Sequence, residues 1–302
     1  MIGELIRYVT TYAPERVRKF GYLKRLIALE FRAKRLATSW ASHQRASRNL
    51  IVKAADLCER QNLAVVIGSG LLLEVPLKAL AGKFEKVYLI DIFHMPQVRA
   101  EAKKHFNVKL LTGDVTGVFQ AIKDNRPPGG HTPAPPPRIP NLKEADLIVS
   151  SNCLTQMAGP FNEYFEKTRG FSDLDADKLA YQIMEQHCKA IATEATGIGV
   201  IITDTERFVM QDDKIVSRTD LLKAYRLPPT ATVVHNEEWD WSFAPHPEEH
   251  PTHDYVHTVS ARVYQRNLSE EDLAKEKEDA LAVDIPPPPS LEDSLGDIVP
   301  QR

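Results

Sequence analysis

The aliphatic run Leu63–Ile67 ends abruptly in Gly68-Ser69-Gly70, and this junction constrains the fold more than any other stretch of the chain. A strand that is apolar at every position, rather than at alternate ones, has both faces covered, as in a parallel sheet with helices on each side. The glycines allow the tight turn by which such a strand passes into a helix. Two further runs repeat the pattern: Lys86–Ile90 closes on Asp91, and Val108–Leu111 closes on Thr112-Gly113-Asp114. Helix-forming stretches, Glu74–Gly82 and Gln97–Phe106, separate them, giving a βαβαβ order with right-handed crossovers. Asp146–Val149 reads as a fourth strand, Ala176–Thr193 as an amphipathic helix and Gly199–Thr203 as a fifth strand ending at Asp204. Ala231–Val234, Glu238–Phe243 and Tyr255–Tyr264 are rich in β-branched and aromatic residues, and the last two read as an antiparallel pair at one edge. The expected fold is α/β: a doubly wound, mostly parallel seven-stranded sheet with an antiparallel strand near the C-terminal end, preceded by N-terminal helices.

The segments around this core differ from it in composition. Between Tyr22 and Arg60 there is no Gly or Pro, so residues 14–60 read as two helices, the second running through His43–Arg60, within a helical extension over residues 1–61. Residues 126–140 hold seven prolines and two glycines, a composition that excludes helix and central strand and marks a loop inserted in the 62–266 domain. Residues 267–302 carry 10 acidic and 3 basic residues and the Pro286–Pro289 run, which reads as a largely disordered tail with at most one short helix near Glu270–Leu281.

In an open parallel sheet, ligands bind outside the carboxyl ends of the strands where the strand order reverses. Here those ends carry Gly68-Ser69-Gly70, Asp91, Asp114, Ser150-Ser151-Asn152 and Asp204. A carboxylate at the end of the second strand can accept hydrogen bonds from ribose hydroxyls, and Asp91 follows Gly70 by 21 residues, the expected reach. The combination points to an adenosine-containing ligand.

At these residues the sequence resembles the class I S-adenosylmethionine-dependent methyltransferases over about Leu63–Arg266. Val65-Val66-Ile67-Gly68-Ser69-Gly70 looks like their glycine-rich first motif, and Tyr88-Leu89-Ile90-Asp91 like the motif whose acid holds the ribose. Leu111-Thr112-Gly113-Asp114 looks like the stretch whose acid meets the adenine amine, and Asp146-Leu147-Ile148-Val149-Ser150-Ser151-Asn152 like the fourth motif beside the methyl group. The resemblance implies S-adenosylmethionine as cofactor, held by Gly68, Ser69, Gly70, Asp91, Gly113, Asp114 and Ser150. Two positions depart from the family pattern: Val66 stands where an acid is usual and Leu72 where a small residue is. The Pro-Pro-aromatic sequence common in base N-methylation is absent from Ser151-Asn152-Cys153-Leu154, which disfavours nucleic-acid bases as acceptors.

Methyl transfer from a sulfonium is an in-line displacement governed by alignment, with a base needed only for a protonated acceptor. Asn152, Asp204, His235 and Glu238 are candidates, since each follows or ends a strand on the expected cofactor edge. Asn152 reads equally as a turn residue and Asp204 as a helix cap. His94 reads as a solvent-facing loop residue. His246, His250, His253 and His257 lie among Pro245, Pro247 and Pro251, which prevent the helix that would gather them around a metal, so no metal is expected. The indoles of Trp239 and Trp241 fall on one side of a strand, where packing is the expected role.

Residues 1–53 contain 12 Lys/Arg against 3 Asp/Glu. These helices either meet an anionic partner or membrane surface, or pack on the domain with their charges solvated or neutralised by the acidic tail; the packed arrangement is favoured because the charges circle the helices. The resemblance implies helices placed over an acceptor pocket. Cys58, Cys153 and Cys188 lack ligand or redox spacing and fit a reducing compartment, and no run suits a signal peptide or membrane span, so the expected location is the cytoplasm. The expected activity is methylation of a small or medium-sized acceptor at O or N. The competing readings are a degenerate methyltransferase fold serving as a binding module and a nicotinamide-dependent oxidoreductase. Against the latter, the dinucleotide spacing asks for Gly or Ala at Leu73.

Overall fold

A computed structural model describes residues 2–129, 132–223, 225–228 and 233–265. The acidic tail therefore lies outside the described residues. Helices α1 (Ile2–Thr10), α2 (Glu15–Lys19), α3 (Tyr22–Arg35) and α4 (Ala37–Asp56) precede the alternating domain. That domain runs β1 (Leu63–Ile67), α5 (Leu77–Lys83), β2 (Lys86–Asp91), α6 (Pro96–Ala102), β3 (Val108–Thr112), α7 (Val118–Lys123) and β4 (Leu147–Ser151). A 3₁₀ turn (Leu154–Gln156), α8 (Gly159–Arg169) and α9 (Asp173–Lys189) lead into β5 (Ile198–Gln211), β6 (Lys214–Asp220), β7 (Val233–Ala244) and β8 (Asp254–Gln265).

The sheet order is β3-β2-β1-β4-β5-β8-β7, with β6 paired to β5 alone. Strands β1 to β5 are parallel, with Val66 opposite Leu89 and Val149; β8 runs antiparallel to β5, and β7, antiparallel to β8, runs in the direction of β5. The reversal of direction along the chain lies between β1 and β4, where the expected ligand edge falls. Beyond the seven expected strands, β5 continues past Asp204 to Gln211 and turns back through Asp212 and Asp213 into β6. Both turn residues have positive φ (47 and 59), the conformation a two-residue hairpin demands.

Every residue of β1 and β4 is buried, which is why alternation is absent from these segments. One face of the sheet packs Ala64, Val66, Val149, Val200 and Val259 against α4, and Trp40 and Ile51 of that helix are fully buried. The other face packs Ile67, Ile148 and Ile201 against Met184 and Cys188 of α9. α4 is thus an integral layer of the core, and its start at Ala37, earlier than His43, gives it the length to reach from β1 across to β7. Asp146 joins the two central strands: its Oδ2 accepts the Asn62 and Leu63 amides at 2.7 and 3.0 Å.

Candidate active site

Asp91 anchors the carboxyl edge. Its Oδ2 accepts the Gly70 amide at 2.7 Å and its Oδ1 the Ile92 amide at 2.7 Å, so the acid is tied to the turn it was expected to serve. Burial pushes its pKa up, opposed by nearby His94 and by amide donors from Gly70, Ile92 and Phe93. Three donors leave about one of the roughly four acceptor directions of a carboxylate for a ligand. His94 does not face solvent: it is 1% exposed, its Nε2 lies 3.1 Å from the Leu111 carbonyl, and burial lowers its pKa. The loop after β2 folds inward because Phe93 and Met95 beside it are core residues.

Asp114 is engaged in the same manner. Oδ1 accepts from the Thr116 amide at 2.8 Å and hydroxyl at 2.6 Å, and Oδ2 from the Phe119 amide at 2.9 Å, which fixes the entrance to α7. Gly113 donates its amide to the Asp91 carbonyl at 2.9 Å. Beside them is a cleft of ≈100 Å³ lined by Arg16, Thr112, Gly113, Asp114, Phe119 and Arg138 among others. Arg16 comes from α2 and Arg138 from the proline-rich loop. Neither could be placed at the edge from sequence, because each arrives through tertiary packing.

The two glycines of the turn do different work. A Cβ on Gly68 would sit 2.5 Å from both Cβ and Sγ of Cys153, so the absence of a side chain lets β4's exit pack on the turn. A Cβ on Gly70 would meet only the Gly68 carbonyl, at 3.8 Å, leaving that side of the turn open. Leu72 adopts a left-handed conformation (φ 62) where the family has a small residue. Burial pushes the Cys153 thiol up to about 12, so it is protonated at neutral pH.

At the end of β4 the polar groups divide between the faces of the sheet. Ser150 Oγ is fully buried, 2.9 Å from Nε2 of His187 on α9 and 3.6 Å from Sγ of Cys153. Ser151 Oγ, Asn152 Oδ1 and Ser69 Oγ are buried with no partner among the described residues. Asn152 holds a left-handed turn (φ 49) and donates its amide to Ile202.

Asp204 bonds two elements at once: Oδ2 lies 2.9 Å from His257 Nδ1, and Oδ1 accepts from Thr155. All of His257 but its Nε2 is committed, with the ring stacked on Phe243 at 4.2 Å. His257, not His235, is the histidine beside Asp204. His235 falls at the opposite end of the sheet, where β7 pairs with Val263 of β8, and it bonds Glu237 at 2.7 Å on the surface. Antiparallel reversal puts the start of β7 near the amino end of β5, so this position cannot reach the edge. Glu238, opposite Ser260 and so level with Thr203, reaches the height of the edge but is exposed on β7, two strands away from Asp204's strand.

Of the remaining histidines, His246 pairs with Asp254 and His253 with Gln211, while the rings of His250 and His253 stack at 4.0 Å. Among the described residues no three His, Cys, Asp or Glu are arranged to hold a metal. Trp239 and Trp241 pack against α4: Trp239 donates to His43 Nδ1 at 3.0 Å, and Trp241 stacks on His43 at 4.1 Å. The N-terminal cations find partners in the domain itself. Arg32 and Arg35 meet Glu248, Arg32 also meets Glu249, Arg25 meets Glu163 and Lys53 meets Glu237. No helix among the described residues is long and apolar enough to cross a membrane.

No family model matches the chain, and no curated protein matches it. Among solved structures, the chain is similar in course to the N-methyltransferase NodS of Bradyrhizobium japonicum WM9 with S-adenosylhomocysteine, at 11% identity and TM-score 0.36 over 74% of this chain and 87% of that one. It is similar to 1,6-didemethyltoxoflavin-N1-methyltransferase of Burkholderia thailandensis, also with S-adenosylhomocysteine, at 11% identity and TM-score 0.35 over 79% and 89%. A third is the DhpI complex with the same nucleoside, at 15% identity and TM-score 0.37 over 83% and 98%. The overlaps are loose at these scores, and the site is read from the chain's own residues. The fold is a doubly wound α/β sheet, parallel from β1 to β5 and closed by β8 and β7. Its parallel strands β3 to β5 and the antiparallel pair β8 and β7 are the arrangement that the sequence resemblance implied.

Proposed function

We propose that the chain binds S-adenosylmethionine at the carboxyl edge between β1 and β2 and methylates a small or medium-sized acceptor at oxygen or nitrogen. The observation that carries this reading is the Asp91 carboxylate, hydrogen-bonded to Gly70 and holding a free acceptor direction beside the open side of that turn. The residues fit the group: Asp91 and Asp114 each retain about one acceptor direction, matching one ribose hydroxyl and one adenine amine hydrogen. Ser69, Ser151 and Asn152 add buried polar atoms without partners at the ends of β1 and β4, as expected where a ligand completes the hydrogen bonding.

When bound, the cofactor supplies an electrophilic methyl carbon on sulfonium. The chain's task is to orient an acceptor lone pair toward it and to exclude water. Asp204 acts through His257: by accepting from Nδ1 it selects the tautomer whose Nε2 lone pair is free, and that nitrogen can take a proton from an acceptor hydroxyl. Asn152 positions groups at the neighbouring strand end.

Calorimetry with S-adenosylmethionine and S-adenosylhomocysteine tests the reading. Binding by the wild type that is lost in Asp91→Ala is expected; no heat at high micromolar ligand would sink it. A second reading, a binding module on a degenerate methyltransferase fold, draws support from Cys153 packed on Gly68 and from the narrowness of the cleft. It expects silence in the same titration and a co-purifying partner.

A further inference from the structure

The proline-rich loop packs one edge on the domain and turns the others outward. Pro133, Pro135, Pro136, Pro137 and Pro140 each fix φ at about −65°. Thr132, Ala134, Pro135, Pro136 and Ile139 each precede a proline, which steers them away from helical backbone. Residues 133–139 accordingly form neither helix nor strand, and the conformation left to them is the extended polyproline helix, which repeats every third residue. Exposure follows that period. Ala134 is 4% exposed among Phe161, Phe165 and Leu179, and Pro137, one turn on, is half-buried beside Val115 and His187. Thr132, Pro133, Pro136 and Arg138 are exposed. A polyproline helix makes no internal hydrogen bonds, so its backbone must be held from outside. Here Gln182 of α9 accepts the Ala134 amide at 2.9 Å, Gln186 donates to the Ala134 carbonyl at 3.2 Å, and the Arg138 amide donates to the Val115 carbonyl at 2.7 Å. Gly117 makes room for the strip, since a Cβ there would stand 2.8 Å from the Pro136 carbonyl. The outer edges are therefore preformed, and the Arg138 guanidinium meets no carboxylate among the described residues.

We propose that residues 132–138 are a docking strip for a protein domain that takes proline helices in an aromatic-lined groove with carboxylates at one end, the chemistry of an SH3-type groove. Pro133 and Pro136 stand one turn apart and Arg138 follows by two residues, which spells Pro-x-x-Pro-x-Arg. Ala134 and Pro137, which follow the two prolines, are the residues turned to the domain, so a groove that reads the outer edges needs nothing from the inner one. The strip is already ordered, so docking loses little conformational entropy, and its exposed rings offer apolar surface to aromatic side chains. Arg138 completes the match with a planar fork for a carboxylate. Fastening the loop does not account for this pattern: Ala134, Pro137 and three backbone hydrogen bonds do that, while the side chains of Pro133, Pro136 and Arg138 are left outside. Arg138 also borders the cleft at Asp114, so a docked domain stands beside that opening. The proposal is independent of which ligand the carboxyl edge takes.

The test titrates the full chain into a panel of isotope-labelled SH3 domains selected for Pro-x-x-Pro-x-Arg peptides and follows the domains by NMR. Saturable binding is expected, with shifts confined to the aromatic and acidic residues of the groove. Pro133→Ala, Pro136→Ala and Arg138→Glu should each weaken it about tenfold or more, while Lys214→Glu, exposed on β6, leaves it unchanged. A synthetic peptide of residues 126–140 gives a comparison that needs no variant: the full chain should bind at least as tightly, because its strip is preformed. Binding by the peptide with none by the full chain would mean that the strip is closed off in the folded protein, and overturns the proposal. Binding that survives all three changes at the strip overturns it as well, as does the absence of binding by chain and peptide alike.

Discussion

His257 and Asp204 face each other across two adjacent strands with Nδ1 and Oδ2 2.9 Å apart, both nearly closed to solvent. Replacing only the imidazole, as in His257→Phe, leaves the carboxylate with Thr155 alone, and should cost about 3 kcal/mol in urea unfolding. Asp204→Leu combined with His257→Phe should cost less than the sum of the single changes, because neither orphan remains. Additive costs would show that the contact is incidental.

His187 gives the stability a pH dependence. Burial lowers its pKa from an ordinary 6.5 to about 4, so the folded state holds the neutral ring while the unfolded chain takes a proton near 6.5. Its contribution is complete above pH 6.5 and is lost as pH falls through that value toward 4, a change of about 3 kcal/mol at 1.36 kcal/mol per unit. Unfolding midpoints between pH 7 and 4 should show this limb, and His187→Gln should flatten it. A variant with the wild-type slope would remove His187 as its source.

Trp40 is fully buried, donates Nε1 to the Phe243 carbonyl at 2.9 Å and meets Trp241 edge-on at 5.1 Å. Trp40→Ala should cost about 3–5 kcal/mol. A loss below about 1 kcal/mol would mean that α4 is an appendage rather than a layer of the core.

Gly68→Ala should destabilise through two separable causes, a left-handed backbone and overlap with Cys153, together about 2–4 kcal/mol. Adding Cys153→Gly should recover the steric share and leave the backbone share. If the second change recovers nothing, the packing of β4's exit on the turn is not what requires glycine.

The parallel strands were legible because each is a short, wholly apolar run closed by glycine or aspartate, and burial on both faces enforces that composition at Leu63–Ile67 and Leu147–Ser151. The second half of β5 was not, because Asp204–Gln211 leaves the core and its composition answers to neighbours and solvent. The hairpin signal was present in Asp212-Asp213 between alternating residues, and only its link to β5 was missing. Asp91 and Asp204 could be placed at the edge because each ends a core strand. His257 could not be paired with Asp204, since cross-strand register between residues 53 apart depends on a bulge near Thr205 that local sequence does not announce.

The helix that fills the sheet's upper layer is synthesised well before the partners it packs on. Trp40 awaits Phe243, 203 residues later, and Arg35 awaits Glu248, 213 later. Contacts of such sequence separation slow folding, and until they form the apolar stripe of α4 stays open to chaperones and to neighbouring chains. A product that stops short of β7 has no means of covering that stripe, so premature termination near residue 230 would yield a species that associates rather than a smaller stable domain.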